Sequence, residues 1–174
     1  MLFSLRSLPA VAVVLVALLS GGCKKDELSA ADKAAIEARK KTDDEAIQAY
    51  ITAQNLTATR TASGLYYVVE TPAPVGAPAP AAGKVLTLHY RGYVLNGTRN
   101  GTKFDSSYDR TEPFVYTVGG LSLIAGWVEG VGMMHKGERA RLIMPSYLGY
   151  GTASTGDIPA NSVLIFYMDL LNVQ

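Results

Sequence analysis

The side chains that most often act as nucleophiles, metal ligands or proton carriers are scarce in this sequence. It contains one cysteine, Cys23, and two histidines, His89 and His135. It has no GxSxG, HExxH or Walker A pattern and no pair of cysteines that could bind zinc. We therefore expect no cofactor and no metal. An enzyme of this composition would act on the conformation of its substrate, and the alternative is a protein that only binds.

The charge of the chain does not indicate a nucleic-acid partner. Sixteen basic and 15 acidic residues give a formal net charge of +1. Basic residues do not cluster with aromatic residues, as they do in nucleic-acid-binding surfaces. We therefore expect no nucleic acid among the partners.

The first 23 residues have the pattern of a signal peptide. Arg6 supplies a positive charge, residues 10–19 are an unbroken apolar run, and residues 20–22 are small. The apolar run is shorter than the roughly 20 residues of a membrane-spanning helix. Cys23 follows directly. We therefore expect an exported protein whose mature part contains no disulfide.

The end of this leader resembles the lipobox of bacterial lipoproteins, in which the cysteine becomes the lipid-bearing N-terminus. Leu19 lies four residues before Cys23, whereas the usual pattern has leucine three residues before it, where this chain has Ser20. The resemblance implies lipidation of Cys23 and attachment to the periplasmic side of a bacterial membrane, with the outer membrane favoured. Without the lipid, the protein would be secreted.

Residues 24–58 are polar, contain no glycine and favour helix, so they predict a helical or partly disordered arm. Two capping-box patterns, at residues 29–32 and 42–45, predict a weak helix near 29–40 and a firmer one near 43–54. The arm contains similar numbers of acidic and basic residues, which indicates a solvated surface. The remaining part, residues 59–174, predicts one compact domain with its core in 84–174.

Alternating apolar and polar residues predict antiparallel strands with one buried face, and the Pro/Ala/Gly-rich residues 71–83 predict a connector. A helical spacing with three interspersed glycines predicts a short helix over 123–134. The repeated Asn-Gly-Thr at 96–102 predicts a turn. The resulting fold class is α+β, with a curved antiparallel sheet wrapped around one short helix. The predicted strands lie within 63–69, 85–95, 139–144 and 163–171.

The ordered motifs of residues 84–172 closely resemble the FKBP-type peptidyl-prolyl cis/trans isomerases. Any one motif is weak, but the set occurs in the family's order and with near-family spacing. The resemblance implies the same FKBP-like sheet and helix, with a ligand pocket between them. The motifs include LHYRG at 88–92, KFDSS at 103–107, GWVEG at 126–130 and PSYLGYG at 145–151.

The resemblance also implies the residues of that pocket. Trp127 would form the floor, the Ile124 N–H and the Tyr150 hydroxyl would donate hydrogen bonds to substrate carbonyls, and Asp105 would lie near the reacting amide, held by Arg110. The implied catalytic residues are Tyr90, Phe104, Asp105, Trp127, Tyr150 and Phe166. The implied substrate-binding residues are Arg110, Phe114, Leu123, Ile124 and Ile158.

The function implied by the resemblance is rotation about X–Pro bonds in exported proteins, which would assist their folding. The implied partners are proline-containing segments of unfolded or partly folded proteins, together with the macrolide inhibitors of the family. The alternative is a weakly catalytic or non-catalytic membrane-tethered chaperone that uses the same groove for binding.

Overall fold

The computed structural model describes residues 28–174. Within this part of the chain the elements are two α-helices, two short 3-10 helices and seven strands. The helices are α1, Ala30–Ala53, and α2, Ala125–Met133, with 3-10 helices at Ser107–Asp109 and Ser146–Leu148. The strands are β1 Thr59–Arg60, β2 Tyr66–Thr71, β3 Val85–Asn96, β4 Arg99–Ser106, β5 Phe114–Thr117, β6 Arg139–Met144 and β7 Leu164–Val173.

The strands form one antiparallel sheet in the order β1-β2-β6-β7-β3-β4, and β5 also pairs with β3. β3 is long enough to pair with β5 through Val85–Leu88 and with β4 through its second half, while β7 lies along its other edge. Register shifts interrupt the β3–β4 and β3–β7 pairs. Such irregularities bend strands, so they contribute to the curvature of the sheet.

The concave face of the sheet packs on α2, as the sequence predicts. Leu86, Leu88 and Tyr90 of β3 are buried there, together with the alternating apolar residues of β6 and β7. Gly130 brings α2 close to the sheet, since a Cβ on Gly130 would lie 2.3 Å from Leu142 Cδ1. This glycine, which weakens the helix, is thus required by the packing of the helix on the sheet.

The opposite face of the sheet is also covered, and the prediction of a single buried face was wrong for β6 and β7 but is confirmed for β3. Ile47 and Tyr50 of α1 are 0% and 1% exposed, and they pack against residues of β2, β6 and β7. The apolar residues between α1 and the sheet form a second core: Ile47, Tyr50, Tyr66, Val68, Ile143, Val163 and Ile165.

The arm is one continuous helix rather than the predicted pair. The first capping box exists, because Ser29 Oγ accepts from the Asp32 N–H and Asp32 accepts from the Ser29 N–H. The second pattern does not begin a helix. The Thr42 hydroxyl donates to the Ala38 carbonyl within the helix, and Asp43 is fully buried. The expectation of a purely solvated arm is therefore corrected.

The predicted connector and turn are present. Residues 72–84 contain no helix or strand, and the Pro78 carbonyl accepts from the Lys136 N–H at 2.8 Å. The Asn-Gly-Thr repeat forms the β3–β4 turn, where Gly97 has a φ of 56° that favours glycine. The turn contacts α1, since Gln54 Nε2 donates to the Thr98 carbonyl at 2.9 Å.

The signal peptide and the lipid attachment at Cys23 were predicted for residues that lie outside the described part of the chain. Between residues 28 and 174, no helix combines the length and the apolar character needed to cross a membrane.

Candidate active site

A cavity of about 260 Å³ lies between α2 and the concave face of the sheet. It gathers side chains from β3, β4, β5 and β7, from the start of α2, and from the segment after the second 3-10 helix. Nine of the eleven residues expected in the pocket line this cavity, and Ser122 lines it as well. The lining residues are Tyr90, Phe104, Asp105, Phe114, Ser122, Leu123, Ile124, Trp127, Tyr150 and Phe166.

Trp127, in the first turn of α2, lines the cavity. Only 4% of Trp127 is exposed, and its position early in α2 is fixed by a 3.0 Å hydrogen bond from its N–H to the Ile124 carbonyl. Phe114 and Tyr116 pack edge-to-face against the indole, at centroid distances of 5.7 and 5.3 Å. These perpendicular contacts fix the orientation of the indole.

Aromatic rings also form the walls. Tyr90 packs edge-on against Phe114 with centroids 5.8 Å apart, and Phe104 packs edge-on against Phe166 at 5.5 Å. Gly92 lies behind the second pair, where a side chain would meet the Phe104 ring at 2.5 Å. Only a residue without a Cβ allows both rings to approach β3 this closely.

A bulge in β4 places two adjacent residues at one cavity. Gly92 pairs with Asp105 and Tyr93 pairs with Lys103, so Phe104 has no partner across the strand pair. Neighbouring residues of a regular strand point to opposite faces. The bulge removes this alternation, and the side chains of both Phe104 and Asp105 line the cavity.

Three polar side chains form a closed hydrogen-bonded set at the rim. The Tyr90 hydroxyl donates to Asp105 Oδ2, Arg110 Nη1 donates to Asp105 Oδ1 at 2.7 Å, and Arg110 Nη2 donates to the Tyr90 hydroxyl at 2.8 Å. The Ser106 N–H adds a 2.8 Å hydrogen bond to Asp105 Oδ1. The carboxylate is therefore fixed in orientation from two sides.

The protonation states follow from these contacts. Burial by itself would raise the pKa of Asp105, but hydrogen bonds from Tyr90 and Arg110 outweigh it and lower the pKa below its usual range. Burial and the hydrogen bond to Asp105 raise the pKa of Tyr90 to about 12. At neutral pH the site thus holds an ionised carboxylate and a protonated phenol.

One backbone donor and one side-chain donor belong to residues that line the cavity. Ile124 is the N-cap of α2, where backbone N–H groups have no acceptor inside the helix. Tyr150 follows the second 3-10 helix and is 37% exposed. Both residues line the cavity, so their donors are within the region that a bound peptide would occupy.

A family model for FKBP-type peptidyl-prolyl cis-trans isomerases matches residues 76–171 of the chain. The chain belongs to the FKBP family. The matched range begins within the proline-rich connector and ends in β7, so it includes every residue that lines the cavity.

Curated relatives of this FKBP-family chain come from several organisms. It is 40% identical over 145 residues to the FKBP-type peptidyl-prolyl cis-trans isomerase FkpA of Aeromonas hydrophila, covering 83% of this chain and 50% of that protein. It is 46% identical over 92 residues to an FK506-binding protein of Neisseria meningitidis, covering 52% of this chain and 81% of that protein. The chain spans about half the length of the FkpA relatives it matches.

Among solved structures, the FKBP-family fold is found in the crystal structure of FkpA from Escherichia coli. The TM-score is 0.60 at 28% identity, with 85% of this chain and 74% of that chain covered. The fold class expected from the sequence is therefore confirmed.

Two residues that the FKBP resemblance implied for the pocket do not themselves line the cavity. Arg110 does not line the cavity, and it reaches the site through its hydrogen bonds to Asp105 and Tyr90. Ile158 is 4% exposed and packs in the main core rather than at the cavity surface. Sequence reasoning missed Ser122, because a single serine in a loop carries no pattern.

The two histidines lie outside the cavity of this FKBP-type domain. His89 Nδ1 lies 3.0 Å from Ser107 Oγ, and its ring stacks on Tyr108 with centroids 4.4 Å apart. His135 Nδ1 lies 3.8 Å from Glu138 Oε2 near the connector. Within residues 28–174, no group of three or more His, Cys, Asp or Glu side chains could hold a metal ion.

Proposed function

We propose that this protein catalyses cis/trans isomerisation of X–Pro bonds. The observation that supports this most directly is the aromatic cavity lined by Trp127, in a chain of the FKBP family. A proline ring would lie against the indole, between the Tyr90–Phe114 and Phe104–Phe166 pairs. The proposed catalytic residues are the six cavity residues Tyr90, Phe104, Asp105, Trp127, Tyr150 and Phe166.

The reaction requires no nucleophile. A planar peptide bond resists rotation by about 18–20 kcal/mol because the nitrogen shares its lone pair with the carbonyl. In the twisted transition state this resonance is lost, and the carbonyl becomes less polar. An apolar cavity that excludes water therefore disfavours the planar, dipolar amide more than the twisted one. This is differential binding of the transition state.

Fixed donors then hold the flanking chain in a turned conformation. The Tyr150 hydroxyl and the Ile124 N–H would donate to carbonyls on either side of the proline, and Asp105 would lie beside the amide as an oriented carboxylate. A 10⁴-fold acceleration requires roughly 5–6 kcal/mol of transition-state stabilisation. Desolvation and a few preorganised hydrogen bonds are of this magnitude.

The test is a protease-coupled assay with a proline-containing peptide, on the chain without residues 1–23. We expect acceleration over the uncatalysed rate, and we expect Phe104→Ala to reduce it strongly because the ring forms a wall of the cavity. Val115→Ala is the matched control, since Val115 is 55% exposed and does not line the cavity. A wild-type chain that accelerates nothing refutes catalysis.

We further propose that the cavity binds the macrolide FK506. The support is the identity to the Neisseria FK506-binding protein together with the aromatic lining of the cavity. FK506 should inhibit the isomerisation and quench or shift the fluorescence of Trp127, the single tryptophan of the chain. Binding of FK506 by a chain without isomerase activity would favour the alternative of a non-catalytic binding module.

The site of action is proposed to be the periplasmic side of a bacterial membrane, with the lipid on Cys23. The support is the apolar run at 10–19 with small residues before the cysteine. In cells fed labelled palmitate, the wild-type chain should incorporate label and sediment with membranes, whereas Cys23→Ser should do neither. Unchanged sedimentation of Cys23→Ser would refute the anchor.

A further inference from the structure

The segment 146–161 contributes Tyr150 to the cavity and is held from behind by α1 at both of its ends; we call it the Tyr150 loop. At its start, the Ser146 N–H and hydroxyl donate to Asp43 Oδ2 at 2.9 and 2.6 Å. At its end, the Asn161 carbonyl accepts from Arg39 Nη2 at 2.6 Å. Arg39 also pairs with Asp43 Oδ1, one turn along the helix.

Asp43 brings a buried carboxylate to the contact between α1 and the Tyr150 loop. Asp43 is 0% exposed, and charged residues are rarely buried to this degree unless they are paired. Ile47 and Tyr50, further along α1, already fasten the helix to the sheet by apolar contact. Both oxygens of Asp43 are used, one toward Arg39 and the other toward Ser146. The buried carboxylate thus acts on the loop.

Backbone hydrogen bonds extend these contacts to Tyr150. The N–H groups of Gly149 and Gly151 both donate to the Ser146 carbonyl, at 3.0 and 2.8 Å. The Asn161 N–H donates to the Gly151 carbonyl at 2.7 Å. Tyr150 therefore lies between two residues whose backbone is hydrogen-bonded to Ser146 and Asn161, which themselves form hydrogen bonds with Asp43 and Arg39 of α1.

We propose that Asp43 is a positioning residue of the isomerase, which acts through Ser146 and the Tyr150 loop to place the Tyr150 hydroxyl at the cavity. The arm helix is then part of the catalytic unit, although none of its residues lines the cavity. This inference rests on the proposed function, because it assigns the contact a role in the same reaction.

The first test is Asp43→Asn in the full-length chain, purified in detergent. The amide keeps the size of the side chain but offers a single acceptor oxygen, which cannot serve Arg39 and Ser146 together. Because misplacing a group by about 1 Å can reduce a rate on the order of 100-fold, we expect a loss of kcat/KM of about tenfold or more. Glu45→Gln is the control: it makes the same change of charge on the same helix, at a side chain that is 66% exposed.

A double-mutant cycle separates positioning from general support of the fold. If Asp43 acts through Tyr150, Asp43→Asn should cost little further activity in a Tyr150→Phe background. Equal losses in both backgrounds would overturn the proposal, as would wild-type activity of a folded Asp43→Asn chain. Ser146→Ala removes only the hydroxyl donor, and the same cycle can be run with it if Asp43→Asn does not fold.

A spectroscopic measurement distinguishes failure of this inference from failure of the proposed function. With ¹³C-labelled tyrosine, the Tyr150 ring signal can be assigned by its absence in Tyr150→Phe. It should shift or broaden in Asp43→Asn and remain unchanged in Glu45→Gln. An inactive wild type that shows this pattern would refute isomerase activity alone, whereas an active wild type with an unmoved signal would refute the positioning role.

Discussion

Replacing Gly92 by alanine should displace the Phe104 ring that forms a wall of the cavity, although Gly92 itself does not line the cavity. A Cβ at this position would lie 2.5 Å from Phe104 Cζ, 2.7 Å from Phe104 Cε2 and 3.1 Å from Phe166 Cε1. Ordinary van der Waals contact begins at 3.4 Å, so the Phe104 ring must move by about 0.9 Å. The Phe104 ring is only partly buried, and the space into which it can move is the cavity.

The expected effects differ for activity and stability. A displacement of about 1 Å at a binding wall is sufficient for a loss on the order of 100-fold in kcat/KM. Overpacking typically costs about 1–3 kcal/mol of unfolding free energy, and we expect the lower end because Phe104 can yield toward open space. Gly92 does not have a positive φ, so alanine adds no backbone strain.

The assays are isomerisation of a proline peptide and urea unfolding followed by Trp127 fluorescence. Gly132→Ala is the matched control, because a Cβ on Gly132 of α2 would meet no atom of another element within 4 Å, and alanine there should add about 0.5–1 kcal/mol of stability through helix propensity. A Gly92→Ala chain with wild-type kcat/KM would refute the steric reasoning. If Gly92→Ala does not fold, the Gly92→Ala/Phe104→Leu chain should regain stability, since the clashing ring is gone.

Three further outcomes are expected. Ile47→Ala should lower the unfolding free energy by about 2–5 kcal/mol because Ile47 is fully buried between α1 and the sheet, whereas Ile36→Ala, at a 40% exposed position of the same helix, should change it by less than about 0.5 kcal/mol in the same urea titration. Because the pKa of Asp105 is lower in the folded than in the unfolded chain, its ionisation stabilises the fold at pH values above the unfolded pKa, and this stabilisation is lost as the pH falls through the folded pKa. The stability advantage over Asp105→Asn should therefore be constant near neutral pH and shrink below about pH 4. An advantage that grows in acid would contradict this. Tyr67→Phe removes a 2.5 Å hydrogen bond to buried Glu138 and should cost about 1–3 kcal/mol in thermal unfolding, and an unchanged melting temperature would contradict it.

Much of the fold could be predicted because strand alternation reports one buried face directly. Leu86, Leu88 and Tyr90 repeat every second residue, and all three are buried against α2. The second buried face was missed because its strand residues, such as Ile143 and Ile165, lie between the residues of the first. A strand buried on both faces loses its alternation, and its covering helix offers only a few apolar positions.

The candidate site was predicted from resemblance rather than from local pattern. Period two would place Phe104 and Asp105 on opposite faces, and only the bulge in β4 brings both to the cavity. The role of Asp43 was also hidden. Within Thr-Asp-Asp-Glu it reads as part of a helix start, and only the folded chain shows that its partner is Ser146, 103 residues away.

The central place of β7 in the sheet affects how the protein can be synthesised. β7 lies between β6 and β3, yet it leaves the ribosome after every other strand of the sheet. Until then β1, β2 and β6 have no connection to β3, β4 and β5 through the sheet, and α1 lacks Val163 and Ile165 beneath it. The sheet therefore cannot close before β7 has been synthesised, and its closure is a long-range event.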